Sequence, residues 1–172
     1  MMLLNIAINE AHVECYSKNN TNTISFASSR NDVDYIISTL SEKEKSIMCI
    51  ENGVRYLPTK EKENELVYRC VYKYRGIPVA FFDLLDDGKY GLNAVVAAVN
   101  DERYRNKGFA SKCVEKGIDW YNKNRHKLNN KRIIWWAAKK NKPSQRVAEK
   151  NGFIIDKTID PKYKDLWYKY IY

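Results

Sequence analysis

Val99-Asn-Asp-Glu-Arg-Tyr-Arg-Asn-Lys-Gly-Phe-Ala110 is the stretch on which the reading of this 172-residue chain turns. Ahead of it runs Gly91-Leu-Asn-Ala-Val-Val-Ala-Ala-Val99, an apolar segment rich in β-branched residues and preceded by Asp86-Asp-Gly, which predicts a buried strand. Behind it, Phe109, Cys113, Ile118, Trp120 and Tyr121 recur at helical spacing among Lys and Glu, predicting an amphipathic helix from about Gly108. The turn between them holds Arg103, Arg105, Lys107 and Gly108. A helix N-terminus presents unpaired N–H groups and the positive end of its dipole, and a glycine there lets an anion approach the backbone. The turn therefore reads as a pyrophosphate cradle. It lacks the three glycines of a dinucleotide fingerprint and the Gly-Lys-Ser/Thr of a P-loop, which excludes both.

Arg105-x-x-Gly108-x-Ala110 resembles the Arg/Gln-x-x-Gly-x-Gly/Ala signature of the GCN5-related N-acetyltransferases (GNAT), whose members seat the pyrophosphate of coenzyme A on this turn. A second segment, Asn141-Lys-Pro-Ser144-Gln-Arg-Val-Ala148-Glu-Lys-Asn-Gly152-Phe153, resembles the later helix of the same family. The two stand in the order that family has. The spacing from Val99 through Asp101, Tyr104, Lys107 and Gly108 is most similar to the branch of ribosomal-protein N-terminal acetyltransferases. The resemblance implies an α+β fold, a mixed but mostly antiparallel sheet with helices on both faces. It implies acetyl-CoA as donor and direct attack of a primary amine, an N-terminal α-amine being the first expectation. Two other readings stay open: a toxin-like enzyme acting on aminoacyl-tRNA, and a coenzyme A-binding module without catalysis.

The length suits one domain over residues 1–172, with 1–23 an ill-defined N-terminal extension. No apolar run approaches the ~20 residues of a membrane span, and Met1-Met-Leu-Leu lacks the basic start of a signal peptide. No membrane contact and a cytoplasmic location are the expectations. Cys15, Cys49, Cys70 and Cys113 are unpaired in spacing, with His12 and His126 apart from them, so no metal site is read and the thiols are expected to be reduced. The net charge of +9 is uneven: residues 1–100 hold 11 Lys and Arg against 13 Asp and Glu, and residues 101–172 hold 19 against 8. The basic half carries both motifs. That suits a polyanionic cofactor and leaves room for a nucleic-acid or ribosomal partner, or for a merely solvated surface. A homodimer is a further expectation.

In chain order, Leu3–Ile8 and Ile24–Ala27 are candidate strands, and Asn31-Asp32 caps a helix with Val33, Ile36, Ile37 and Leu40 on one face. Ser41 and Glu44 form a capping box for a second helix expected to run to about Asn52-Gly53. Residues 59–65 form a charged loop. Leu66–Tyr74 and Ile77–Leu85 make a hairpin through Arg75-Gly76, and Asp86-Asp-Gly-Lys turns into the central strand. Ile133–Ala138, Phe153–Ile155 and Leu166–Tyr172 are later strands, with a turn at Asp160-Pro161-Lys162.

Within the resemblance, Arg105, Asn106, Lys107, Gly108, Phe109 and Ala110 bind the pyrophosphate. Backbone amides at Ala98 and Val99 meet the pantetheine arm and the thioester carbonyl. Asn141 caps its helix and contacts that arm, and Ser144 lies near the sulfur, either protonating the leaving thiolate or serving the helix. Relatives often carry a Tyr acid where this chain has Ala148, so the proton comes from Ser144, water or a C-terminal Tyr. Asp83, the one charge inside Phe81-Phe-Asp-Leu-Leu85, is either a general base at a cleft or the partner of a cation. Trp135 and Trp136 are adjacent and so face opposite ways, one toward the core and the other toward the acceptor.

Overall fold

The computed structural model describes residues 11–17, 27–46, 50–51, 54–55, 65–86, 88, 91–158 and 167–172. Strands β1 (Ala11–Ser17), β4 (Leu66–Tyr74), β5 (Ile77–Asp86), β6 (Leu92–Ala98), β7 (Ile133–Ala138), β8 (Ile154–Ile155) and β9 (Trp167–Ile171) form one seven-stranded sheet in the order β1-β4-β5-β6-β7-β9-β8. Strands β2 (Ile50–Glu51) and β3 (Val54–Arg55) pair separately. Every neighbouring pair is antiparallel except β6–β7. The helices are α1 (Ala27–Ser38), α2 (Glu42–Ser46), α3 (Phe109–Asn124) and α4 (Lys142–Lys150). The α+β class and mixed sheet expected from the sequence are what the structure has.

Side chains alternate across each strand, so two contacts assign the helices to faces. Tyr68 stacks on Trp120 and Tyr72 on Phe109, which puts α3 on the face of the even-numbered β4 residues. Lys73 pairs with Asp32 at 2.9 Å, which puts α1 on the other face. Helices do cover both faces. On the α3 side the approach is close: a Cβ on Gly117 would lie 2.2 Å from Cε1 of Phe82, so only glycine fits there.

Several local expectations change. The first helix begins at Ala27, four residues ahead of the Asn31 cap, while keeping Val33, Ile36 and Leu40 buried. The Ser41–Glu44 capping box is present, with Glu44 N–H donating to Ser41 Oγ at 3.2 Å and Ser41 N–H to Glu44 Oε2 at 2.9 Å. Its helix is described over Glu42–Ser46, and Ile50–Glu51, expected within it, is instead a strand paired with Val54–Arg55; Asn52-Gly53 lies outside the described residues. β1, whose apolar residues are diluted by His12 and Glu14, was not foreseen. The expected strand Leu3–Ile8, residues 24–26 of the expected strand Ile24–Ala27, the loop at 59–64 and the turn at 160–162 lie outside the described residues, while Ala27 opens α1 instead of ending a strand. The Cys70 and Cys113 side chains are buried.

Candidate active site

Strands β6 and β7 run parallel only at Leu92–Ile133 and Asn93–Ile134, and beyond these they share no ladder. The opening is the floor of a cleft of about 780 Å³. β6 supplies Ala94, Val96, Ala97, Ala98 and Val99, and β7 supplies Trp135 and Trp136. The phosphate turn from Tyr104 to Ser111 closes one end, and α4 contributes Ser144, Arg146, Val147 and Lys150. All the residues expected to bind the cofactor line this one cleft: Ala98, Val99, Arg105, Asn106, Lys107, Gly108, Phe109, Ala110, Asn141 and Ser144.

The turn is built for an anion. Asn106 (φ 59°) and Gly108 (φ 79°) are both left-handed, and α3 starts with no side-chain hydrogen bond to its cap. Its first N–H groups stay open to the cleft. A Cβ on Gly108 would meet no atom within 4 Å, so the space above that backbone is open. Four cations border the cleft, Arg105, Lys107, Arg146 and Lys150, and α4 is tied to α3 by Asn151 Nδ2 donating to Ser111 Oγ at 3.1 Å. These features fit a coenzyme A pyrophosphate and ribose phosphate.

Amide directions refine the β6 assignment. Val99 N–H donates to Val79 O at 3.0 Å, and Asn100 N–H to Thr39 Oγ1 at 3.1 Å. The expected role of the Val99 amide is therefore blocked, since its proton is committed to β5. Successive N–H groups point to opposite sides of a strand, so those of Ala98 and Val96 point toward β7, where the ladder is missing. Ala98 is the amide free for a carbonyl.

Asn141 caps α4 as expected, its Oδ1 accepting from Ser144 N–H at 3.2 Å. Gln145 Nε2 donates to Ala138 O and Lys139 O, both at 2.8 Å, and so joins α4 to the end of β7. Ser144 Oγ accepts from Trp135 Nε1 at 3.0 Å. An indole is a donor only, so this bond leaves the hydroxyl proton of Ser144 available to the cleft.

Trp135, 1% exposed, also packs on Phe82 and Phe153, which places it on the α3–α4 side. Trp136 takes the opposite face, under Lys169. Leu40, between α1 and α2, and Glu44, within α2, wall that side of the cleft.

Asp83 is not brought to the site. It is fully buried on the α1 face, and Arg69, its direct cross-strand neighbour, donates to it from Nε at 2.9 Å and Nη2 at 2.7 Å. Of the two readings open for it, the structure has the cation partner. Tyr170 is no acid for the cleft either: it is buried, donates to Glu149 Oε1 at 3.0 Å and does not line the opening. Burial and that carboxylate push its phenol well above the ordinary range. Sequence reasoning missed Glu44, Arg146 and Lys150 as cleft residues. The two cations sit four apart on α4, a helical spacing that shares a face and was the available signal. Glu44 had none, because its place depends on how the α1–α2 elbow folds against the phosphate turn.

The sheet splits between its parallel strands, and the uncapped N-terminus of α3 lies beyond the split. Residues 79–154, from β5 to β8, match the family model of the acetyltransferase (GNAT) domain. Three solved structures share the fold along nearly the whole chain. Ribosomal-protein-S5-alanine acetyltransferase from Vibrio fischeri has 13% identity and a TM-score of 0.62, over 95% of this chain and 92% of that one. Spermidine N-acetyltransferase from Vibrio cholerae, in complex with CoA and spermine, has 14% identity and a TM-score of 0.58, over 93% and 94%. Arabidopsis thaliana Naa50, in complex with the bisubstrate analogue CoA-Ac-MVNAL, has 14% identity and a TM-score of 0.58, over 93% and 97%. No curated protein sequence matches the chain. No helix among the described residues is long and apolar enough to cross a membrane.

Proposed function

We propose that this protein is an acetyl-CoA-dependent N-acetyltransferase acting on a primary amine. The carrying observation is the break in β6–β7 pairing after Asn93 and Ile134, which opens one cleft onto both the vacant space over Gly108 and the Ser144 hydroxyl. Arg105, Lys107, Arg146 and Lys150 and the α3 N-terminus hold the phosphates. The thioester, when bound, supplies an activated acetyl carbon. Ala98 N–H polarises its carbonyl, an oxyanion-hole contribution. As the amine nitrogen bonds to that carbon and the carbon–sulfur bond breaks, the electron pair leaves on sulfur, and a proton reaches it through Ser144 Oγ, which gives up its own and takes one back from water. The acceptor's own proton leaves to water, for Asp83 is sealed in the sheet. The acetyl reading supports the expected cytoplasmic location, where this donor is made and used.

Thermal unfolding with and without acetyl-CoA tests the reading. Saturation at ~100 times the dissociation constant adds about 2.7 kcal/mol, which for a chain of this size raises the melting temperature by roughly 5–11 °C. No rise removes the proposal. A rise without thiol release over a panel of peptides, amines and aminoacyl-tRNA leaves a binding module instead.

A further inference from the structure

Among the described residues that line the cleft, four are cationic and one, Glu44, is acidic. An amine acceptor is itself a cation near neutral pH. The cleft without cofactor repels it. Coenzyme A carries roughly four negative charges, two on the pyrophosphate and nearly two on the ribose phosphate, enough to offset those cations. Once they are offset, the remaining charge in the cleft is the Glu44 carboxylate.

Glu44 lines the cleft and is bonded to Arg105 at the edge of the phosphate turn. It shares the α1 side with Leu40 and Trp136, whereas Ser144 and the α3–α4 contact lie on the other side. Its side chain is 28% exposed and anchored: Ser41 N–H and Oγ–H both donate to Oε2, and Arg105 Nη2 donates to Oε1. Arg105 also reaches Asn100 Oδ1 through the same Nη2, so its Nε and Nη1 protons remain for a phosphate. Burial raises the Glu44 carboxyl, yet the Ser41 hydrogen bonds and Arg105 outweigh it and hold the group below its usual value. A carboxylate that resists protonation is a poor base for the reacting amine. It is well suited to hold a charge that persists through the reaction.

We infer that Glu44 is the acceptor-recognition residue of this cleft, and that it selects amines carrying a second positive charge away from the reacting nitrogen. This rests on the acyltransferase reading above. It does not require the acceptor to be a polyamine or a peptide, since either can present a second ammonium.

Calorimetry on the protein saturated with coenzyme A separates the two claims. The probes are 1,4-diaminobutane and butylamine, alike in reach and different by one charge. The diamine is expected to bind about tenfold more tightly than butylamine to the wild type, the size of a charge-assisted hydrogen bond. Glu44→Gln, kept saturated with coenzyme A at whatever concentration that takes, is expected to lose that preference while butylamine binds within about threefold of wild type. Ser41→Ala removes the capping hydroxyl and keeps the carboxylate, so it controls for disturbance of α2 and is expected to retain the preference. A diamine preference that survives Glu44→Gln, or its absence in a wild type that binds coenzyme A, overturns the inference and leaves the acyltransferase reading standing. A wild type that takes up no coenzyme A overturns both.

Discussion

Asp83→Asn separates a structural carboxylate from a catalytic one. Arg69 is 1% exposed and Asp83 fully buried, and the fork of the guanidinium meets both carboxylate oxygens across the β4–β5 ladder. Replacing the acid by a neutral amide leaves a guanidinium charge in the sheet with no counter-charge from this partner. Breaking a buried pair from one side costs about 3–5 kcal/mol. At 2–4 °C per kcal/mol for a chain of this size, the melting temperature falls by roughly 6–20 °C. Removing both charges as Arg69→Met with Asp83→Leu avoids the stranded ion, and such exchanges are often neutral or stabilising, so the double variant is expected to recover most of the loss. The assay is circular dichroism melting beside turnover measured well below the transition, where the folded fraction of each variant is nearly complete. Turnover per folded molecule is expected to stay within about threefold of wild type, against the ~10²–10⁴-fold that loss of a general base costs. An Asp83→Asn protein that melts with the wild type yet loses turnover a hundredfold refutes the structural assignment.

The remaining predictions follow from single contacts. Gly108→Val puts a branched side chain at φ 79° into the space left for the pyrophosphate, and is expected to weaken coenzyme A binding by more than tenfold while costing about 1–3 kcal/mol of stability; calorimetry and melting read the two separately. Gly117→Ala gains up to ~1 kcal/mol of helix propensity but forces Phe82 off α3, so a net loss of about 1–2 kcal/mol is expected in denaturant titration, and a stabilised variant contradicts the packing. Asp156 is held at about 2 by the Thr158 hydroxyl and backbone N–H and by Lys169, with burial opposing, so its stabilisation is complete above about pH 4 and is lost as pH falls toward 2. Asp156→Asn is expected to cost about 1–2 kcal/mol at pH 7 and only a small part of that at pH 2, measured as the difference in urea midpoints. Ser144→Ala is expected to lower turnover by about tenfold with the Michaelis constant for acetyl-CoA little changed, because a thiol pKa of about 8.5 makes protonation of the leaving thiolate only mildly helpful.

The parts legible in the sequence are those that short-range rules control. The β6–turn–α3 unit, the Asn141 cap and the Ser41–Glu44 box were readable because strand runs, left-handed glycines and capping pairs act over a few residues. The meander β4–β5–β6 followed from its strand runs and the turn signals Arg75-Gly76 and Asp86-Asp-Gly. β1 was missed because its pairing partner, β4, lies some fifty residues away, and His12 and Glu14 hide its periodicity. For Asp83 the sequence left two readings open, and the choice needed Arg69 placed directly across the ladder. Which amide of β6 is free was equally invisible: it turns on whether Val99 or Ala98 points at β5, a one-residue parity that composition does not carry.

That parity bears on how the two substrates divide the cleft. On the α3–α4 side stand the phosphate turn and Ser144, and by alternation Ala94, Val96 and Ala98 turn their side chains to the same face. On the α1 side stand Leu40, Glu44 and Trp136, with Ala97 and Val99 beneath them. The side chains that β6 presents to the cleft are alanines and valines, which keep the floor shallow and let the backbone of the strand make the contacts. Charge is left to the rims, cationic where phosphates enter and anionic at Glu44. A larger side chain at Ala98 fills the cofactor half, and one at Ala97 fills the acceptor half. Ala98→Leu is thus expected to raise the Michaelis constant for acetyl-CoA, and Ala97→Leu that for the amine. If both variants raise the same constant, the division of the cleft by sheet face is wrong.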